Sequence, residues 1–218
     1  MKILFIGNTR LGDAILSTCI LQLFNKKENQ ITVVCGPIAS DIYSSFKFVK
    51  NVLSIRKKKY SKHWLDIYYQ LNKTKWDIII DLRNTIISRF LKKNSIYRLT
   101  NKNNNLHKVE QLCNLLKLKK NFSPVVFVSK HQKAKAKLFM QKLNLNKNTL
   151  AISPVTNWHR KDWPIKNFSL LVKKLLKNKK VPINRVIILG DKKEYEYCEK
   201  LKKNIGDINV TNLAGKIS

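Results

Sequence analysis

The sequence predicts an α/β protein made of two doubly wound domains, the second of them incomplete. Short apolar runs recur along the 218 residues, and most are followed by segments whose apolar residues have helical spacing. The runs are nearly continuous rather than alternating, which is typical of strands buried on both faces of a parallel sheet. A polar break at residues 144–148 divides this alternation. We therefore expect an N-terminal domain at residues 1–146 and the first half of a C-terminal domain at residues 147–218.

The first domain opens with an apolar run, Lys2 to Ile6, which is closed by Gly7 and followed from Ala14 onward by apolar residues at helical spacing. Strands and helices then alternate. Further strands are predicted at 31–35, 52–55, 78–82, 96–99 and 125–128, and further helices at 37–46, 61–72, 85–91, 106–116 and 133–143.

The second domain repeats the pattern over a shorter length. Strands are predicted at 150–153, 185–189 and 209–213, and helices at 167–176 and 193–203. Three strands and two helices are too few to bury both faces of a sheet, since domains usually need roughly 100 residues. We therefore expect a C-terminally truncated domain.

The amino-acid composition does not distinguish between several classes of binding partner. The net charge of +31, from 44 Lys+Arg against 13 Asp+Glu, suits nucleic acid, an anionic membrane face or an acidic substrate equally well. Lysines are spread through most predicted helices and occur beside many asparagines, so a compositional bias explains the charge as well as a binding patch does. The clusters of aromatic and basic residues that mark RNA-binding motifs are not evident.

The start of the chain indicates the compartment, and the cysteines are a separate matter. No stretch approaches the roughly 18 apolar residues of a membrane-spanning helix, and Asn8 and Arg10 come before an export signal could form. We expect a cytoplasmic protein. The cysteines lie far apart, without a Cys-x-x-Cys pair, and are predicted to be buried free thiols with no metal site: Cys19, Cys35, Cys113 and Cys198.

The loop from Gly7 to Ala14 carries the first candidate for chemistry. Its glycine spacing is that of a phosphate-binding P-loop, but Asp13 and Ala14 stand where that motif needs Lys and Ser/Thr. A carboxylate there would repel phosphate, so we exclude nucleotide binding at this loop. Asp13 follows the carboxyl end of a strand, where open α/β sheets place ligands. On position alone, a helix N-cap and a catalytic carboxylate are equally good interpretations of Asp13.

Six segments, in order along nearly the whole chain, carry recognisable motifs. The first contains a Gly-Asp pair before an apolar helix, the second an Asp-ending strand, the third a His-led helix, and the fourth a Lys before an aromatic-Pro pair. The segments are KILFIGNTRLGDAILSTCILQLF, WDIIIDLRNTIISRFL, LHKVEQLCNLLKL, SPVTNWHRKDWPIKNFSLLVKKL, RVIILGDKKEYEYCEKL and NLAGKIS. Together they resemble the lipopolysaccharide heptosyltransferases of glycosyltransferase family 9.

This resemblance implies a GT-B fold of two Rossmann-like domains, with the acceptor on the N-terminal domain and an ADP-sugar on the C-terminal one. It implies that Asp13 is the catalytic carboxylate, that Lys161 contacts the donor phosphates and that Thr156 lies in the adjacent turn. An ammonium group there would stabilise the departing diphosphate. Glu194 lies near the family's acidic contact to the nucleoside. The structural alternatives are a solvated lysine for Lys161 and a surface helix residue for Glu194.

Four further residues are candidates for binding acidic groups on the acceptor, because Arg binds carboxylate and phosphate in a bidentate manner. They are Arg10, Arg83, Arg89 and His107, and each also has a structural alternative.

The sequence departs from the family in one respect: it contains no Asp-x-Gly-x-x-His segment, which in the family grips the donor. The expected function is inverting, metal-independent and cofactor-free transfer of heptose or a related sugar from an ADP-sugar to the lipopolysaccharide core, with the 218 residues inactive alone. Peripheral contact with the inner membrane is expected and nucleic acid is not. The alternatives are a basic nucleic-acid-binding protein and an inactive frameshifted remnant.

Overall fold

The computed structural model describes residues 1–56, 62–100, 105–156 and 162–217. Contacts divide the chain into two compact units, Met1–Lys130 and His131–Ser218. Each unit contains one parallel sheet with helices packed against it. This confirms the predicted α/β class and the alternation of strands and helices.

The sheet of the first unit has five parallel strands in the order β3-β2-β1-β4-β5. The strands are β1 (Lys2–Ile6), β2 (Gln30–Cys35), β3 (Val49–Ser54), β4 (Trp76–Asp81) and β5 (Lys93–Arg98). The helices are α1 (Leu11–Leu21), α2 (Pro37–Ser44), α3 (Lys62–Leu71), α4 (Ile87–Phe90) and α5 (Lys108–Leu115). Because all strands run the same way, their carboxyl ends meet at one edge of the sheet.

Both faces of this sheet are buried, as the continuous apolar strands predicted. Successive residues of a strand point to opposite faces. Ile3 and Phe5 of β1 accordingly belong to a core shared with α1, α2 and α5, whereas Leu4 and Ile6 belong to a core shared with α3 and α4. We call these the α1 face and the α3 face of the sheet.

The second unit contains a three-stranded parallel sheet in the order β6-β7-β8. Its strands are β6 (Thr149–Ile152), β7 (Arg185–Ile188) and β8 (Val210–Asn212), and its helices are α6 (Lys130–Lys142), α7 (Ile165–Lys177) and α8 (Tyr195–Ile205), with a 3₁₀ turn at Lys192–Glu194. The core lies on the face covered by α7 and α8, where Val172, Val186 and Leu201 are fully buried. On the other face a cavity of about 620 Å³ separates the sheet from α6.

The strand predicted at 125–128 is wrong. Residues 121–129 have no regular structure, and Val126, Phe127 and Val128 are about half exposed. The segment crosses the α1 face of the sheet instead of extending an edge. The N–H of Val125 donates to the hydroxyl of Thr18 on α1, 2.8 Å away, and the ring of Phe127 packs edge-on against Phe46. This apolar run of four residues therefore packs against helices instead of pairing as a strand. Hydrophobic periodicity alone does not distinguish these two arrangements.

Candidate active site

The carboxyl edge of the first sheet gathers several of the predicted residues. β1 lies beside β4, and β4 lies beside β5. Asp13 follows the loop after β1, Arg83 lies two residues after β4, and His107 lies beyond the end of β5. Neighbouring strands of a parallel sheet end together, and ligands of open α/β sheets bind at this edge. The three residues therefore belong to adjacent segments along the predicted binding edge.

Asp13 is the third residue of α1, not its N-cap. The helix begins at Leu11, three residues earlier than the apolar spacing predicted, and Arg10 occupies the N-cap position without a capping hydrogen bond from its side chain. The N-cap interpretation of Asp13 is therefore wrong, although its negative charge still suits the positive end of the helix dipole. The carboxylate is half-buried and has no hydrogen-bond or ion-pair partner among the described residues.

The loop before Asp13 is held by a buried tyrosine. Tyr43 of α2 is fully buried against Gly7, and a hydrogen bond of 2.8 Å joins its hydroxyl to Ser17 on α1. Ser17 also donates to the carbonyl of Ala14, 2.7 Å away, so its oxygen is left to accept from Tyr43. Burial raises the pKa of Tyr43, and the Asp13 carboxylate adds to this rise. Tyr43 thus fixes the start of α1 as an uncharged donor.

A second buried carboxylate shapes the loop after β4. Asp81 is fully buried and accepts three hydrogen bonds, from the N–H of Arg83 at 2.9 Å and from the N–H and hydroxyl of Thr85 at 2.7 and 2.8 Å. The guanidinium Nε of Arg98 lies 4.0 Å from this carboxylate. Arg98 also donates to Asn84, whose backbone has a positive φ of 53°, and to the carbonyl of Thr85. This network fixes the turn that carries Arg83.

The side chain of Arg83 is held over an aromatic ring. Its guanidinium carbon lies 4.9 Å from the centre of the Trp64 ring on α3. Burial lowers the pKa of Arg83, and the nearby Asp81 opposes this change. The side chain remains a cation, since arginine titrates far above neutral pH. A fixed, half-buried guanidinium at the carboxyl edge can bind an anionic group of a ligand.

The other three acceptor candidates have different positions. Arg10 is exposed at the start of α1, beside Asp13 in the fold. His107 is the N-cap of α5: its Nδ1 accepts from the N–H of Val109 at 3.3 Å, and Glu110 accepts in return from the N–H of His107. Arg89 is exposed in the last turn of α4, where Lys93 at the start of β5 donates to its carbonyl. Arg89 therefore lies toward the opposite, amino edge of the sheet.

The carboxyl edge of the second sheet carries the predicted donor residues. Thr156 follows β6, and both its N–H and its hydroxyl donate to one oxygen of Asp162, at 2.8 and 2.7 Å. Asp162 precedes Pro164, the N-cap of α7. The carboxylate therefore joins the two ends of the segment between β6 and α7. Lys161 lies in this segment and outside the described residues.

Glu194 has a structural role in the same edge. Its carboxylate accepts from the N–H of Asp191 at 2.7 Å, and the two residues form a capping box for the 3₁₀ turn after β7. The turn packs against the backbone that follows β8, where the N–H of Gly215 donates to the carbonyl of Gly190 at 2.8 Å. Gly215 has a positive φ of 70°, and a Cβ built on it would lie 2.8 Å from the Cα of Lys192. Glu194 thus stabilises a loop at the predicted donor edge.

Sequence reasoning missed the supporting residues and assigned the cysteines correctly. All four cysteines are buried and free. Burial raises the pKa of Cys35, behind Arg83, to about 11, so this thiol is not a nucleophile at neutral pH. Asp81, Arg98 and Tyr43 were not singled out. The available signal was weak: an aspartate that ends an apolar strand and an arginine two residues later.

Comparison with known proteins identifies the family. Residues 93–218 match the sequence profile of the family described as Glycosyltransferase family 9 (heptosyltransferase). No curated protein sequence matches the chain. Among the described residues, no helix has the length and apolar character needed to cross a bilayer.

Solved structures with a similar fold include three glycosyltransferases. The glycosyl transferase family 9 protein from Veillonella parvula superposes with a TM-score of 0.79 at 15% identity over 99% of this chain and 69% of its own. The E. coli ADP-heptose LPS heptosyltransferase II superposes with a TM-score of 0.70 at 16% identity, over 99% of this chain and 73% of its own. The E. coli heptosyltransferase WaaC with ADP superposes with a TM-score of 0.67 at 17% identity, over 98% of this chain and 75% of its own. These likenesses confirm the predicted fold.

Proposed function

Because this chain belongs to glycosyltransferase family 9, the heptosyltransferase family, we propose that it contributes to the transfer of a heptose from an ADP-sugar to a hydroxyl of the lipopolysaccharide core, with inversion at the anomeric carbon. The acceptor is assigned to residues 1–146 and the donor to residues 147–218. The proposed site of action is the cytoplasmic face of the inner membrane, which the protein contacts peripherally. No metal ion or cofactor is needed for this chemistry.

The observation that carries this proposal is the Asp13 carboxylate. It is half-buried at the carboxyl edge of the first sheet, and no described residue donates a hydrogen bond to it. A carboxylate in this condition can accept the proton of an acceptor hydroxyl. The hydroxyl oxygen forms a bond to the anomeric carbon of the donor as the bond to ADP breaks, and the proton moves to Asp13.

The cations supply the complementary charges. Arg83, fixed over Trp64, and Arg10, exposed beside Asp13, are proposed to bind acidic groups of the acceptor. Lys161 is proposed to stabilise the negative charge that the ADP leaving group gains. The N–H and hydroxyl of Thr156 are already bound to Asp162. Thr156 can therefore contact a donor phosphate only after it leaves that carboxylate.

Glu194, Arg89 and His107 are proposed to act at a distance from the reacting atoms. Glu194 caps the turn after β7 and is proposed to act on the nucleoside by holding that turn in place. His107 keeps its Nε2 for an acceptor group while its Nδ1 caps α5. Arg89, toward the amino edge of the sheet, would reach only a distant part of an extended acceptor.

A chimaeric enzyme tests the function. The 218 residues contain no Asp-x-Gly-x-x-His segment, so we expect them alone to give no transfer and at most weak ADP binding. Joining them to the C-terminal segment of a family member that contains this motif is expected to give transfer, measured as ADP release and as the mass of the product. No transfer in a folded, ADP-binding chimaera would contradict the proposal.

The role of Asp13 is tested in the same chimaera. Asp13→Asn keeps the size of the side chain but removes the proton acceptor, so turnover should fall by roughly 10²-fold or more while ADP-sugar affinity stays nearly unchanged. Asp41→Asn is the matched control, because Asp41 is exposed on α2. Parental turnover in the Asp13→Asn enzyme would show that the base lies elsewhere.

A further inference from the structure

Two pairs of large apolar side chains stand in solvent on the α3 face of the first unit. Leu65 and Tyr69 on α3 are 58% and 69% exposed, and Ile86 and Phe90 at α4 are 72% and 69% exposed. Each pair is spaced i, i+4, so its two members lie on the same side of their helix. Single exposed apolar residues are ordinary on a protein surface, whereas several on one layer mark an interaction surface.

The two helices belong to one layer. Trp64, Ile67 and Tyr68 on the inner side of α3 pack on the same core cluster as Ile87 of α4. The start of α3 meets the loop that leads into α4 where Arg83 lies over the ring of Trp64. The exposed pairs therefore point outward from neighbouring parts of the α3 face. We call Leu65, Tyr69, Ile86 and Phe90 the apolar surface of α3 and α4.

The charges around this surface are mostly positive. Residues 83–93 contain four cationic side chains and no Asp or Glu, and residues 62–73 contain two lysines and one aspartate. Arg89 and Lys92 are exposed beside Phe90 in the sequence. Apolar side chains flanked by Lys and Arg are the chemistry of segments that lie in the interface of a bilayer containing anionic lipid.

We propose that the apolar surface of α3 and α4 docks on the face of a bilayer that contains anionic phospholipid. This inference rests on the proposed function, in which the protein contacts the inner membrane peripherally, and it assigns the surface that makes the contact. Leu65, Tyr69, Ile86 and Phe90 enter the headgroup region, and Arg89 and Lys92 bind the lipid phosphates. The orientation keeps Arg83, between α3 and α4, at the carboxyl edge and close to the lipid surface.

Vesicle co-sedimentation tests the surface without requiring transfer. The 218-residue chain is mixed with sedimentable vesicles of phosphatidylcholine, alone or with phosphatidylglycerol added. We expect binding to the vesicles that contain phosphatidylglycerol and little binding to phosphatidylcholine alone. Ile86→Ser combined with Phe90→Ser should weaken binding by about tenfold or more, because two large side chains no longer leave water.

The matched control is Ile38→Ser. Ile38 is 70% exposed on α2, which packs on the opposite, α1 face of the sheet. We expect this variant to bind as the parent does. An equal loss in the Ile38→Ser and Ile86→Ser/Phe90→Ser proteins would overturn the proposal. The proposal would also be overturned if the double variant bound as the parent does and added salt abolished that binding. The dispersed positive charge would then be sufficient for vesicle binding. Because the readout is lipid binding, an inactive chimaera with normal vesicle binding would contradict only the proposed catalysis.

Discussion

The hydroxyl of Tyr43 occupies the space in which a side chain on Gly7 would begin: a Cβ built on Gly7 would lie 2.5 Å from that oxygen and 2.8 Å from the ring carbon that bears it. Tyr43 is fully buried and hydrogen-bonded to Ser17, so it cannot swing aside. The close approach joins α2 to the loop between β1 and Asp13. Small changes here should therefore move the start of α1.

The first prediction concerns this contact. Gly7→Ala should lower the free energy of unfolding by about 1–3 kcal/mol, because the methyl group overpacks the site. Tyr43→Phe removes the nearest oxygen, so in the Tyr43→Phe protein the added cost of Gly7→Ala should be smaller. Denaturant unfolding of both single variants and of the double variant measures this coupling.

Gly12→Ala is the control for Gly7→Ala. Gly12 is in the first turn of α1, and apart from its own helix and chain neighbours no described residue has an atom within 4 Å of a Cβ built there. That substitution should be neutral or stabilise the protein by about 0.5–1 kcal/mol, since alanine is the better helix former. Equal destabilisation by Gly7→Ala and Gly12→Ala would show that contact with Tyr43 is not the cause.

The second prediction concerns the buried carboxylate of Asp81. Asp81→Asn replaces one accepting oxygen with an NH₂ group, which would face either the N–H of Arg83 or the N–H and hydroxyl of Thr85. We expect a loss of about 2–4 kcal/mol in unfolding free energy, as for other buried charged hydrogen-bond networks whose acceptor is removed. Thermal or urea unfolding measures it.

Asp77→Asn is the comparison for Asp81→Asn. Asp77 lies near the amino end of β4. Its carboxylate accepts hydrogen bonds from the N–H of Lys2 at 2.7 Å and from the side-chain amide of Asn94 at 3.2 Å. These bonds are in contact with solvent, so the loss should be about 1 kcal/mol or less. A larger effect at Asp77 than at Asp81 would contradict the importance assigned to burial.

The third prediction is a loss of stability in alkali. Burial raises the pKa of Cys19 from its ordinary 9.0 to about 12, and burial also raises the pKa of Tyr43 above its ordinary 10.0. A group with a raised pKa in the folded state binds its proton more tightly there. The stability that such a group contributes is fully present below its ordinary pKa. It is lost as the pH rises from that value through the raised pKa of the folded state. Unfolding free energy should therefore fall above about pH 9, by up to about 1.4 kcal/mol per pH unit for each group.

Unfolding titrations at a series of pH values measure this fall. Tyr43→Phe has no hydroxyl to ionise, so its free energy of unfolding should fall less steeply than that of the parent above about pH 10. Identical slopes in the parent and in Tyr43→Phe would show that Tyr43 does not contribute.

The fourth prediction separates backbone conformation from crowding in the second unit. Gly206 and Gly215 both have a positive φ, of 68° and 70°. For this reason alone, replacing either glycine with alanine should lower the free energy of unfolding by about 1 kcal/mol. A Cβ on Gly215 would also lie 2.8 Å from the Cα of Lys192, whereas a Cβ on Gly206 would lie 3.8 Å from the carbonyl oxygen of Lys203. Gly215→Ala should therefore destabilise more than Gly206→Ala in parallel unfolding experiments, and the reverse order would contradict the crowding.

Local patterns in the sequence were sufficient for most of the fold. The run from Lys2 to Ile6, the proline that begins α2 and the apolar residues before Gly190 each predicted an element that the structure contains. These patterns work because strands buried on both faces must be apolar throughout and because helices repeat every 3.6 residues. The segment 125–128 has the same apolar character as a strand, yet its partners are Thr18 and Phe46, which are distant in the sequence.

By itself, the sequence determined the α/β class, the order of the elements, the placement of Asp13 after β1 and the burial of the cysteines. Only the tertiary structure decided that Arg10 precedes the helix and that Asp13 lies within its first turn, because a hydrogen-bonded helix can begin before its apolar spacing does. Only the tertiary structure placed Tyr43 behind Gly7, Trp64 beneath Arg83 and Arg98 beside Asp81. The members of each pair belong to elements that are separate in the sequence, and only strand pairing and packing bring such residues together.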